Sequence, residues 1–371
     1  MKKFRGISIL LFFISLSLKM ISSKFPVIVE KYYSRGINIY IVKFLSYISS
    51  IFPFSLFEVL IYIAVLSIII YLIYSIIKII RDNKNTLYYL KNFLLNMISI
   101  AGLIYFLFII LWGLNYNRLD LKTSLILDYN KAHGCNIKDV EYGKEDLIDL
   151  YKFLIDKCNE VRLEVMEDSH GAMKCDTDYK GVLSRASDGY DNMGILGLDK
   201  IGNYATAKPI FNSKLLCYTH ITGIYSPFTG ESNVNISVPD YYLPFTTLHE
   251  MAHQRGYASE DEANFLGYIA GINHKDSDFQ YSSYLMALKY TMSALIGVDY
   301  DTYVKLNKEL SEDVIADLKN SSEFWKQYDG KISEASDNMN NTYLKVNGVS
   351  KGTKSYGEMV NLLLTYYKLY K

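Results

Sequence analysis

Apolar residues are unevenly spread over the 371 positions: they run together before residue 114 and break into periodic patterns after it. Leu56 to Ile80 is almost unbroken apolar sequence, with Glu58 near its start and Lys78 near its end, long enough to cross a hydrocarbon core of about 30 Å. Phe93 to Leu114 is a second run and contains no charged residue. Ile7 to Leu18 is shorter and follows Lys2, Lys3 and Arg5. It reads as a signal-peptide core or as a first transmembrane helix extended through Lys19 to Ile21 by snorkelling, and the absence of a small-residue cleavage site after it favours the helix. The pattern predicts a membrane region over residues 1–114, with two or three transmembrane helices at about 7–21, 56–80 and 93–114. A domain over residues 115–371 follows.

The connection between the two long runs carries Lys78, Arg81, Lys84 and Lys91, which places it in the cytoplasm and sends the chain after Leu114 outside. Lys24, Lys31, Arg35 and Lys43 fall in a segment that this orientation puts outside, so the bias is modest. The expected location is a multi-pass membrane protein with an extracytoplasmic carboxy-terminal domain, and the lipid bilayer is its first partner.

Beyond the membrane, Trp112 to Arg118 mixes aromatic and polar residues as an interface does. Asp128 to Lys144 reads as a polar linker. Asp146 to Val165 places Leu147, Leu150, Tyr151, Leu154, Cys158, Val161 and Val165 at helical spacing. Lys174 to Asp199 is rich in Gly, Asp and Ser and reads as loops with one short strand. Gly223 to Ile236 alternates around Pro227 and Gly230, the pattern of strand, turn, strand, with Pro227 confining it to an edge. Phe279 to Ile296, Tyr303 to Leu318 and Tyr356 to Tyr370 carry helical spacing, and none is apolar enough to span.

Charge and cysteines narrow the picture. The formal net charge is zero, so nothing suggests a polyanion, and nucleic acid is not an expected partner. Cys135, Cys158, Cys175 and Cys217 lack the close pairing of structural zinc sites and are either free thiols or disulfide partners in one of three complete pairings.

The chemistry concentrates at His249-Glu250-Met251-Ala252-His253. On a helix, the i, i+4 spacing stacks two imidazoles on one face, where they can share a metal ion, and Glu250 beside them can act on a water bound to it. Gly256 suits a helix C′ position, and Ser259 with Glu262 forms a capping-box pattern, so a second helix follows after a tight turn. Its first turn offers a third ligand and leaves a fourth position open for water. Glu260, Asp261 and Glu262 compete for that role. Glu262 has the capping task, whereas Glu260 stands in a Glu-x-x-Ala-Asn arrangement similar to that of many zinc peptidases, so Glu260 is the expected ligand, Glu262 the alternative, and Asn264 the supporting residue one turn on. A metzincin is excluded because its third ligand would fall at Ser259.

The spans, Trp112-Gly113-Leu114-Asn115-Tyr116, Pro227-Phe228-Thr229-Gly230-Glu231, His249 to Gly256, Glu260 to Phe265 and Ser355-Tyr356-Gly357 together resemble a bacterial family catalogued as domain of unknown function 3810. The resemblance runs over essentially the whole chain. It implies a membrane-anchored, gluzincin-like zinc metallopeptidase, with zinc at His249, His253 and a glutamate of the Glu260 to Glu262 turn. It supplies no substrate.

The resulting expectation is a multi-pass α-helical membrane anchor followed by a mainly α, α+β zincin-like domain that hydrolyses peptide or protein substrates outside the cytoplasm, using one Zn²⁺ ion. Glu250 is the general base, and Tyr356, with Tyr257 as a second choice, the donor that stabilises the tetrahedral intermediate. His133, His170, His220 and His274 show no paired spacing. Arg255 is a further candidate for orienting ligands. The rival reading is a non-catalytic, membrane-tethered zinc-containing binding or sensing module, against which the presence of Glu250 argues.

Overall fold

The computed structural model describes residues 2–200, 202, 204–347 and 356–371. The protein is mainly α-helical, with one two-stranded and one three-stranded sheet among the described residues, and it divides into two compact units.

The first unit comprises residues 1–118 together with 226–231. Its helices are α1 (Lys2–Ser22), α2 (Asn38–Ser50), α3 (Leu56–Arg81) and α4 (Thr86–Leu111). Lys3–Ser22, Leu56–Arg81 and Asn83–Leu111 are each long and apolar enough to cross a membrane. Gly102 lets α1 and α4 approach closely, since a Cβ there would lie 3.3 Å from the Ser8 carbonyl oxygen. The third apolar helix differs from expectation at both ends. It starts at Thr86 rather than Phe93, its polar first turns being held by Arg5, which donates to Asn92 and Asn96. It stops at Leu111 rather than Leu114, because Asn115 is drawn into a buried network with Ser34 and Asn38, and Arg118 into a pair with Glu30. Residues 26–50, which carry no simple period, are also helical, with a π-helical stretch at Val29–Ile37 that kinks at Gly36.

Glu231 explains why Pro227 to Glu231 belongs to this unit. Its buried carboxylate accepts from the backbone amides of Leu56 (3.0 Å) and Phe57 (2.8 Å), at the positive end of α3. Gly230, at φ +66°, lies against the backbone of α2, where a Cβ would come within 2.8 Å of the Ser46 nitrogen.

The second unit holds residues 119–225 and 232–371. Its elements are α5 (Leu121–His133), α6 (Lys144–Arg162), β1 (Met166–Glu167), β2 (Met173–Lys174), α7 (Tyr179–Arg185), α8 (Ser187–Asp191), β3 (Lys208–Pro209), α9 (Ser213–Cys217), β4 (Gly223–Ser226), β5 (Glu231–Val234), α10 (Leu243–Gln254), α11 (Glu260–Ile272), α12 (Ser277–Val298), α13 (Tyr300–Leu306), α14 (Glu312–Lys326), α15 (Lys331–Val346) and α16 (Tyr356–Tyr370). One core, including Tyr151, Leu154, Phe265, Phe279 and Tyr281, lies where α12 packs on α6, α10, α11 and α16. Arg162 and Asp317 form a buried pair at 2.8 Å, and the carboxylate also accepts from Tyr281 and the Met173 amide. Three hydrogen bonds thereby reach that carboxylate, which offsets much of the cost of its desolvation.

Several expected boundaries move for reasons of capping. The linker begins only after His133, because Asp120 caps α5 and Gly134, at φ +65°, ends it. Lys174 to Asp199 contains α7 and α8 rather than loops alone, α7 being started by Asp178 accepting from the Gly181 amide. Tyr303 to Leu318 is two helices, since Ser311 caps a new start at Glu312. The strand, turn, strand reading of Gly223 to Ile236 is observed as β4 and β5; the sheet order is β3-β5-β4, with β3 parallel to β5 and β4 at the edge. All four cysteines are free thiols, Cys135 exposed and the others buried.

Candidate metal centre

Leu243 to Gln254 is helical with Pro244 in its first turn, where a missing N–H costs nothing. The helix is nearly all buried, so its polar groups need partners, and tertiary contacts supply them. Ser282 Oγ accepts from the Phe245 amide, Tyr190 donates to the Leu248 carbonyl, Ser232 to the Glu250 carbonyl, and Thr247 folds back onto Leu243. These bonds fix the rotation of α10 about its axis and thereby the direction of its side chains.

The turn that follows is set by Gly256, at φ +83°, a conformation that L side chains resist. Arg255 does not reach the histidines. Its guanidinium lies 3.8 Å from the Tyr190 ring centroid and donates to the Met251 carbonyl, clasping the end of α10. Gly267 allows α11 to return along α10, since a Cβ there would sit 3.2 Å from the His249 nitrogen.

This return brings His249, His253 and Glu260 together, with one potential ligand atom of each within 4.8 Å of the others. The imidazoles stand nearly perpendicular, with centroids 4.7 Å apart. His249 Nε2 is 3.2 Å and His253 Nε2 3.7 Å from the Glu260 carboxylate. This His-His-carboxylate donor set could hold a metal ion. His253 Nδ1 lies 2.6 Å from the Tyr257 carbonyl, which directs Nε2 toward the shared point.

Glu262 is elsewhere. Its carboxylate accepts from the Leu121 amide at 2.7 Å, at the start of α5, and the expected capping box does not form: Ser259 occupies the N-cap without a side-chain bond. Glu260, at the first position of α11, is the carboxylate that the tight turn delivers to the histidines.

Glu250 is buried beside this group, one carboxylate oxygen 4.0 Å from His249 Nε2 and the other, Oε2, without a hydrogen bond among the described residues. Edge strand β4 covers it so closely that a Cβ on Gly223 would lie 2.4 Å from its Oε1. Burial raises the Glu250 pKa to about 7, against the opposing effect of the two histidines. Burial would likewise lift Glu260, but the paired histidines outweigh it and hold Glu260 well below the usual carboxylate range. Burial alone would depress His253; Glu260 reverses this and raises it to about 9.

A cavity of about 380 Å³ opens onto His249 and Glu260. Asn264 lines it one helical turn beyond Glu260, and His220, Tyr242, Lys289 and Trp325 also form its wall. Sequence spacing missed these last residues. Lys289 alone carried a signal, as the single charged residue between Phe279 and Ile296. Tyr257 belongs to the hydrophobic core and serves the site through its carbonyl, not its ring. The Tyr356 side chain and Ser355 lie outside the described residues. His274 stacks on Phe279 and contacts the Arg185 carbonyl; His133 stacks on Tyr129, and His170 is exposed.

No curated protein and no solved structure matches the chain. A family described as "Protein of unknown function (DUF3810)" matches residues 33–364, a stretch that includes the apolar helices α3 and α4, the Glu231 turn and both helices of the His-His-Glu group. On that match the chain belongs to the DUF3810 family.

Proposed function

We propose that this protein is a membrane-anchored zinc metallopeptidase of gluzincin type, with its zincin-like domain on the extracytoplasmic side. The observation that carries the reading is the buried, partly unbonded Glu250 carboxylate beside three convergent donors, His249, His253 and Glu260. A group that served only to tie two helices together would have no use for a desolvated carboxylate next to it. Zinc held there would supply Lewis acidity, polarising a carbonyl and lowering the pKa of water to about 7.

The chain's own residues have distinct tasks in this reading. Tyr257 orients His253 through Nδ1, and Gly267 fixes the approach of α11 to His249. Glu250 takes a proton from the attacking water and passes it to the leaving amine. Strand β4, at the sheet edge against Glu250, is the element beside which an extended peptide would lie. Lys78 and Arg81 in the last turn of α3, Lys84 after it and Lys91 early in α4 support a cytoplasmic position for that connection, which puts the chain after residue 118 outside.

The test uses the full chain in detergent. Bound zinc is measured by elemental analysis, and a diverse peptide library is digested with wild type and Glu250→Gln. Stoichiometric zinc in both and cleavage only by wild type is expected. A folded protein that takes up zinc yet cleaves nothing points to the binding-module reading, and one that takes up no divalent ion removes both.

A further inference from the structure

The cavity beside the candidate metal group has a second chemical pole that the peptidase reading does not use. On α12, Met286, Lys289 and Tyr290 lie on one face and line the cavity. The Lys289 ammonium donates to Tyr242 Oη (2.5 Å) and Ser321 Oγ (3.0 Å) and lies over the Tyr242 ring, 4.7 Å from its centroid. Tyr242 Oη also accepts from Trp325 Nε1 at 3.0 Å, so its lone pairs are occupied and its own proton is left for Ser321. The lysine is thus locked in place by neutral partners.

No carboxylate lies within ion-pair distance of Lys289 among the described residues. Glu260, which also lines the cavity, faces the two histidines, and Asp329 faces the wall residue His220 at 3.3 Å. A half-buried ammonium held over an aromatic ring without a counter-ion is an unmet electrostatic demand, and a ligand anion would satisfy it at little cost in ordering. The cavity that contains this ammonium also contains His249 and Glu260, and at about 380 Å³ it is near the small end for a ligand site. The anion must therefore lie a short distance along the substrate from the carbonyl that reaches the metal group.

We propose that Lys289, steadied by Tyr242, Ser321 and Trp325, is a specificity-determining residue that binds a substrate carboxylate near the scissile bond. The inference rests on the peptidase reading for the orientation of the substrate. The carboxylate comes from a peptide's free carboxy terminus or from an acidic side chain; the chemistry at Lys289 is the same, and the test separates the two.

Binding is measured by fluorescence anisotropy on the full-length, zinc-loaded Glu250→Gln protein in detergent, so no cleavage is needed. The probes are dye-labelled Gly-Phe-Leu-Gly with a free carboxyl group, its amide, and the amides of Gly-Phe-Leu-Glu and Gly-Phe-Leu-Gln. A charge-assisted bond predicts that a carboxylate probe binds about tenfold to 100-fold more tightly than its neutral counterpart. Preference for the free acid identifies the carboxy terminus as the source, and preference for the Glu amide the side chain. Lys289→Met brings the preference to about one, and Lys289→Arg keeps part of it. Equal binding of charged and neutral probes, absence of binding by all four, or a preference unchanged in Lys289→Met overturns the proposal. The peptidase reading fails separately, if the wild-type protein cleaves no library peptide.

Discussion

Exchanging Glu260 and Glu262 for alanine, one at a time, separates a metal ligand from a structural carboxylate two residues away. Among the described residues Glu260 is the carboxylate grouped with His249 and His253, whereas Glu262 holds the Leu121 amide. A ligand that binds only the folded state at 100 times its dissociation constant stabilises by about 2.7 kcal/mol, and in a domain of this size each kcal/mol moves Tm by about 2–4 °C. Wild type should therefore gain roughly 5–11 °C on addition of zinc, by the same relations. Glu260→Ala should lose most of that gain, and its metal-free Tm should fall as well, because the carboxylate that pairs with the buried imidazoles goes with it. Glu262→Ala should keep the zinc gain. A hydrogen bond to a charged group contributes about 1.5–3 kcal/mol, and since Glu262 is half-buried the lower end applies, so the metal-free Tm should fall by about 3–6 °C with the zinc gain intact. Thermal unfolding of the detergent-solubilised full chain, followed by intrinsic fluorescence with and without buffered zinc, reads both. A zinc gain that survives Glu260→Ala and disappears in Glu262→Ala would refute the assignment.

Other consequences are equally direct. Gly223→Ala forces a Cβ to within 2.4 Å of Glu250 Oε1, so the carboxylate must move; cleavage should drop at least tenfold while zinc content stays at the wild-type level, and unchanged cleavage would show that Glu250 has slack. Asp317→Ala removes the buried partner of Arg162 and leaves it the exposed Glu167, and should cost about 3 kcal/mol in chemical unfolding; a loss below about 1 kcal/mol would mean that water reaches the pair. In the metal-free protein, His253 has a folded-state pKa of about 9 against an ordinary 6.5, so the stabilisation from its pairing with Glu260 is complete below about pH 6.5 and is lost as pH rises through 9. Tm of chelator-treated wild type should fall more steeply over that interval than Tm of Glu260→Gln, and parallel curves would contradict the coupling. With native protein, maleimide should label Cys135 rapidly and Cys158, Cys175 and Cys217 only on unfolding, which mass spectrometry of the peptides resolves.

Features governed by local period or by a single residue's stereochemistry were legible in the chain itself. Three apolar stretches announce three long apolar helices because length and composition alone satisfy the demands of a hydrocarbon layer. His249 and His253 share a face because 3.6 residues make a turn, Gly256 ends the helix because only glycine takes its φ readily, and Pro227 marks a turn beside an edge strand. Helix boundaries were less legible, since Asp120, Asp178 and Ser311 start helices through single side-chain bonds that many polar residues could make. Local reasoning also misread the Ser259 and Glu262 spacing as a capping box, because it could not see Leu121 approaching from 141 residues away. Tertiary structure decided the remainder: that Glu260 joins the histidines, that Gly223 leaves room for Glu250, and that Tyr242, Lys289 and Trp325 meet at one cavity wall. Those facts depend on how α10, α11, α12 and α14 pack, and packing joins residues by distance in space, a quantity that periodicity along the chain does not encode.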